Sequence, residues 1–333
     1  MKNRSLLPEI KALTKNLLES GDDFLLLKES ADSLYRIFSS ITGIEVNSLK
    51  NDEIILPSGK AISSASAAHC LIEFKRTAVF LRGIYKAIQQ KKKGEKQPVQ
   101  ILYAGCGPYA TLITPLLSLF QQGDVNVTLI DVNDKSLNSA KTLIEYLGFG
   151  AFINDFLLTD AVTFNLDKEY DVIISETMRS CLEGEPLPHI LHNLAPQMPG
   201  EAIFIPERVT IDAYLTDPDL ELARMRWENR DKGIIDKIFI GKIFDLDLQN
   251  YDEEKLKGEV VIPEDIGSYF ELNLFTTVQV FGDDILKERD CSLTLPKKFY
   301  DFQKSKYVEK TSFWLDMTGH PKIDCKIIEY AEE

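Results

Sequence analysis

The chain has 333 residues, 44% of them hydrophobic, with 52 acidic against 38 basic side chains and a formal net charge of −14. That apolar content supports a sizeable core and more than one domain, while a surface this acidic repels phosphate backbones, disfavouring general nucleic-acid binding and favouring cationic small molecules or basic peptides. Five scattered cysteines without a CxxC pair, four histidines without H-x-x-x-H spacing and no membrane-length apolar run argue against a zinc site and a membrane span, so a cytoplasmic protein with reduced thiols is expected.

Residues 1–60 read as short amphipathic helices, with Leu6, Ile10, Leu13, Leu17 and Leu18 on one stripe. Leu56-Pro-Ser-Gly59 punctuates the chain. A long helix is then predicted through Ala67, Leu71, Phe74, Ala78, Leu81, Tyr85 and Ile88, whose spacing alternates between four and three. It closes in the charged linker Lys91–Pro98. From Val99 the pattern becomes alternating buried strands and helices. Strands are predicted at 99–104, 125–131, 151–154, 171–175 and 202–205. Helices are predicted through Leu112, Leu116 and Leu119, through Leu137, Ala140, Ile144 and Leu147, and through Ile190, Leu191 and Leu194. This alternation predicts an α/β, Rossmann-like, doubly wound and mostly parallel sheet. After Pro206, runs such as 209–215, 269–281 and 312–317 read as antiparallel strands. The expected division is a helical segment (1–60), a cofactor-binding domain (61–206) and a β-rich domain (207–333).

The first strand breaks into Gly105-Cys-Gly107, where the backbone turns sharply and admits a ligand closely. The second strand ends on Asp131, placed to accept from ribose hydroxyls. Dinucleotide-binding and S-adenosylmethionine-binding folds share this arrangement, and Gly105 through Ala110 even fits G-x-G-x-x-A. Asp155 follows the third predicted strand, where a carboxylate can accept from an adenine amino group. Arg76 lies off the apolar stripe, either solvated or reaching a cofactor carboxylate. S-adenosylmethionine offers that carboxylate and a nicotinamide dinucleotide does not. Glu176 and Glu185 flank a loop that leaves a buried strand, suggesting a cationic substrate.

With these residues in place, Cys70-Leu-Ile-Glu-Phe-Lys-Arg76-Thr77 resembles the helix preceding the core of protein arginine methyltransferases, and Tyr170 to Glu185 resembles their double-glutamate loop. The resemblance runs from about Ala67 to Tyr214, with a looser echo beyond in a β-barrel. It implies S-adenosylmethionine as cofactor, with Gly105 and Gly107 at its methionine part, Asp131 at the ribose, Asp155 at the adenine and Arg76 at the carboxylate. Glu176 and Glu185 would orient a substrate guanidinium, a planar fork of donors that two carboxylates grip edge-on. The chain departs from the family at Thr177, where Trp is usual, at Tyr103 and Tyr109, and in lacking a Thr-His-Trp motif. These departures favour a free guanidino compound or other small cation over protein arginine. The segment 217–235 lies where the family inserts a dimerisation arm, consistent with a homodimer. The competing readings are a nicotinamide-dependent oxidoreductase and a catalytically silent binding protein.

Overall fold

The computed structural model describes residues 6–47, 52–94, 98–225, 237–302 and 308–329. It opens with helices α1 (Leu6–Glu19) and α2 (Phe24–Thr42). Their apolar stripes bury Ile10, Leu17, Leu27, Leu34 and Phe38 completely. Asp23 caps α2 by accepting the Leu26 N–H at 3.1 Å, and Gly43 ends the helix in a left-handed turn. A small hairpin follows, β1 (Ile54–Leu56) and β2 (Gly59–Ala61), then α3 (Ser64–His69), capped by the Ser63 hydroxyl.

The long helix expected from Ala67 is broken. A 3-10 turn at Cys70–Ile72 leads to Glu73, which leaves helical geometry (φ −73°, ψ 72°), and α4 (Phe74–Lys92) starts afresh. Thr77 holds the kink: its hydroxyl lies 3.2 Å from the Cys70 carbonyl and 3.0 Å from that of Leu71, satisfying acceptors the break releases. The apolar rhythm runs through the break because both pieces bury their faces in one core.

The sheet is built from β3 (Val99–Ala104), β4 (Val125–Asp131), β5 (Ile153–Leu158), β6 (Val172–Ser175) and β7 (Ile203–Ile205). Its order is β5-β4-β3-β6-β7, and every pairing is parallel, as the alternation predicts. The chain winds outward from β3 to β5 and returns to β6 on the other flank of β3. The carboxyl ends of β3 and β6 therefore flank the point where the winding reverses. The connecting helices are α5 (Thr114–Leu117), α6 (Asp134–Leu147) and α7 (Leu187–Leu194). The helix expected through Leu112, Leu116 and Leu119 shrinks to the four residues of α5, because Ala110 takes a positive φ (43°) and the chain stays in turns until Ile113.

The remainder comprises β8 (Arg208–Thr216), α8 (Pro218–Met225), β9 (Lys237–Asp247), β10 (Lys257–Val261), β11 (Glu271–Phe281), β12 (Asp284–Leu286), β13 (Lys297–Asp301), β14 (Val308–Asp316) and β15 (Lys322–Glu329). The rest of the 217–235 segment beyond α8 lies outside the described residues. One antiparallel sheet runs β12-β11-β8-β9, with β13 also on β11, and a second runs β10-β14-β15. The expected barrel is not closed. Two register shifts between β8 and β9 twist that edge, and β10 lies against it without forming a ladder among the described residues.

The α/β and β-rich parts meet where α4 packs on β11. At Gly83 a Cβ would come within 2.6 Å of the Val280 Cγ1, on a side chain that is fully buried. Gly83→Val is expected to destabilise the protein by about 1–3 kcal/mol through overpacking, read as a lower urea midpoint with an unchanged slope.

Candidate active site

A cavity of about 670 Å³ opens at the carboxyl edge of the parallel sheet. Its floor is the chain leaving β3, β4 and β5. Gly105 takes φ +71°, and a Cβ there would lie 2.3 Å from the Thr177 Cγ2, so only glycine lets the loop after β6 settle against this turn. Asp131, at the tip of β4, accepts the Gly107 N–H at 2.9 Å and the Asn133 N–H at 2.8 Å. The Val132 N–H is a third backbone donor, so the carboxylate keeps part of its acceptor capacity for a ligand. Burial pushes this carboxyl up, against the backbone donors that oppose the shift. Tyr109, in the third-glycine position of the turn, packs edge-on against Tyr35 and Phe38 and donates its hydroxyl to the Ile44 carbonyl. The N-terminal helices thereby support the glycine loop from behind.

Glu176 leaves β6 directly, and both it and Glu185 line the cavity. Arg76 lines it too. Its Nε donates to Glu176 and its Nη1 to Glu73 at 2.7 Å, so the guanidinium is buried between two carboxylates. Its Nη2 group has no protein partner among the described residues. Glu73 is fixed in turn by the Ser292 N–H at 2.9 Å and the Ser292 hydroxyl at 2.7 Å. Burial pushes the Glu176 carboxyl up while Arg76 pulls against that shift. Glu185 is only 9% exposed and makes no hydrogen bond or ion pair among the described residues. Burial pushes its carboxyl up to about 7, the charge of Glu176 adds to the shift, and Arg76, Arg179 and Lys60 oppose it.

The loop between the two glutamates is strained. Cys181 and Leu182 both take φ 57°, a region that L residues other than glycine rarely adopt. Distant chain holds it there. The Cys181 N–H donates to the Thr276 hydroxyl at 2.9 Å, the Ser180 hydroxyl to the Leu295 carbonyl at 2.7 Å, and the Gly184 N–H to the Pro321 carbonyl at 2.8 Å. Glu183 pairs with Lys297, and the Lys60 N–H donates to the Gly184 carbonyl at 2.8 Å.

Six of the seven residues expected at the site (Arg76, Gly105, Gly107, Asp131, Glu176 and Glu185) lie on this one cavity wall. Asp155 does not. It sits mid-strand in β5, exposed, and accepts the Phe156 N–H instead. The strand continues to Leu158, four residues past the predicted end, so Thr159 and Asp160 are the residues that reach the cavity. The polar pair after Phe156-Leu-Leu158 was the available signal. Cys70 and Cys106 line the cavity, but burial pushes the Cys70 thiol up to about 12 and raises that of Cys106, so neither is a ready nucleophile. Among the described residues no cluster of His, Cys, Asp or Glu suits a metal ion, and no helix is long and apolar enough to cross a membrane.

No family model matches the sequence, and no curated protein aligns with it. Solved structures do match. The chain is similar to the PRMT1 enzyme–prozyme heterotetrameric complex with AdoHcy from Trypanosoma brucei, at 15% identity and TM-score 0.53, over 80% of this chain and 95% of that one. It is also similar to PRMT6 with SAH, at 12% identity and TM-score 0.54, over 78% of this chain and 98% of the other. A further PRMT6 structure matches at 12% identity and TM-score 0.55, over 79% and 99%. The fold is therefore that of the arginine methyltransferases: a Rossmann-like core followed by a β-rich part.

Glu185 holds its proton to a higher pH when folded than when unfolded, so stability it contributes at low pH is lost as pH rises from about 4.5 towards 7. Glu185→Gln removes that dependence. Thermal melts at pH 5.5 and pH 8 are expected to show the variant gaining on the parent at the higher pH.

Proposed function

We propose that this protein is an S-adenosylmethionine-dependent N-methyltransferase acting on a guanidino group or a comparable small cation. The observation that carries the proposal is the carboxylate wall. Glu185 is buried, unpartnered among the described residues and beside Glu176, in a cavity at the winding reversal of a methyltransferase-type sheet. Burying an unpaired carboxylate is costly, and a guanidinium seated across both glutamates repays that cost with charge-assisted hydrogen bonds.

The donor set fits the cofactor. Asp131 retains acceptor capacity for a ribose diol, Asp160 stands at the next strand end, and the free Nη2 of Arg76 suits a carboxylate. When bound, S-adenosylmethionine supplies an electrophilic methyl group on a sulfonium. The protein's part is alignment and electrostatics. Glu176, held by Arg76, fixes one edge of the acceptor. Glu185 holds the other and biases the cationic charge away from the attacking nitrogen, whose lone pair is then turned towards the cofactor. Burial raises the Tyr103 phenol and the Cys106 thiol, so these two cavity-lining groups stay protonated. Acceptor binding draws the Glu185 proton off, so affinity for a guanidinium rises with pH up to about 7 and then levels.

Glu185→Gln is expected to lower turnover by at least ~100-fold while S-adenosylhomocysteine affinity, measured by calorimetry, stays within a few-fold of the parent. Asp131→Ala should weaken that affinity by about 1.5–3 kcal/mol. Binding of NAD in place of S-adenosylhomocysteine would overturn the proposal. So would methyl transfer that survives in Glu185→Gln.

A further inference from the structure

Among the described residues the cavity's cations are paired, with one exception. Lys60 is bound to Glu53 at 2.7 Å, Lys297 to Glu183, and Lys298 to Glu271 and to Asp301 at 3.2 Å. Arg76 is buried between Glu73 and Glu176. Arg179 also lines the cavity, yet it is exposed and its guanidinium makes no hydrogen bond or ion pair among the described residues. It stands on the strained glutamate loop, and its charge acts on Glu185.

An unpaired guanidinium beside a wall built for a cation is a liability if the substrate is a cation alone, because like charges repel at the mouth. It becomes an asset if the substrate carries both signs. Resting on the methyl transfer proposed above, we infer that the acceptor is a small guanidino acid, whose carboxylate is gripped by Arg179 while its guanidinium is seated on Glu176 and Glu185. A guanidinium fork binds a carboxylate through paired hydrogen bonds, which fixes direction as well as affinity.

Different arginines would hold this carboxylate and the cofactor's own. Arg76 stands in the first turn of α4, held by Glu73 and Glu176, whereas Arg179 rides on the loop that leads to Glu185. The roof reinforces the choice of a small substrate. The 3-10 turn Ser292–Thr294 and the chain to Lys298 tie down over Glu73, Ser180 and Glu183, and the 670 Å³ cavity must take cofactor and acceptor together. A peptide needs an open groove running past the arginine; a free amino acid does not.

The test uses two probes that differ only in the carboxylate: free arginine and its decarboxylated analogue agmatine. With labelled S-adenosylmethionine, the full chain is expected to favour arginine over agmatine by roughly 10- to 100-fold in kcat/KM, the span of one charged hydrogen-bonded contact. Arg179→Ala should collapse that ratio towards one, mainly through the KM for arginine, and Arg179→Lys should restore part of it. Calorimetry of both probes in the presence of S-adenosylhomocysteine reads the same preference without turnover. Equal use or equal binding of the two probes by the parent protein overturns the inference. So does an Arg179→Ala variant that loses S-adenosylhomocysteine affinity as much as arginine affinity, since the carboxylate gripped would then be the cofactor's. Failure of the parent to bind S-adenosylhomocysteine at all strikes instead at the methyl transfer on which the inference rests.

Discussion

One buried cation organises this site. The Arg76 guanidinium, 7% exposed, is enclosed by Glu73 and Glu176, and Glu73 is anchored to Ser292. The bonds join the first turn of α4, the exit of β6 and a turn within the β-rich part. A charge withdrawn from water this far is tolerated only while its partners stay in place, and removing one partner from such a set typically costs about 3–5 kcal/mol. The network is thus a registration device more than a source of stability. It sets where Glu176 stands, and with it the spacing to Glu185.

The second constraint is the loop that ends in Glu185. Its backbone sits in sparsely populated conformations at Cys181 and Leu182, which persist only when surroundings over-determine them. Here the surroundings are Thr276 on β11, Leu295 and Pro321. The two antiparallel sheets therefore act as a frame that keeps a carboxylate in a place local chain preference would not choose. That division of labour explains why the α/β core alone does not complete the cavity.

Much of the frame was legible in the sequence. Strand–helix alternation, with Gly105, Gly107 and Asp131 at strand ends, follows from local chemistry and places three side chains with no knowledge of the tertiary fold. Glu176 and Glu185 were legible from the buried run before them. Arg76 was readable only as a residue off the apolar stripe. Its partner lies 100 residues away, and a contact at that range leaves no periodic trace. Asp155 was misplaced because Asn154-Asp155 looks like a strand end, whereas pairing with β4 carries the strand through both residues. The helix break at Glu73 was hidden because its apolar spacing survives the kink. Tyr109 looked like a departure in the glycine turn, and only its packing on Phe38 and Tyr35 gives it a purpose.

The bond between Glu73 and Ser292 spans 219 positions of chain. Closing a loop of that length is entropically expensive, though the cost grows only logarithmically, and long-range contacts of this kind tend to form late. The floor of the cavity at the ends of β3, β4 and β5 depends on chain up to about Asp160, while the Ser292–Lys298 wall comes from the β-rich part. The sheet edge of the cavity is therefore assembled before its far wall, and reversible loosening of the Ser292–Lys298 segment would open the cavity from the glutamate-loop side first.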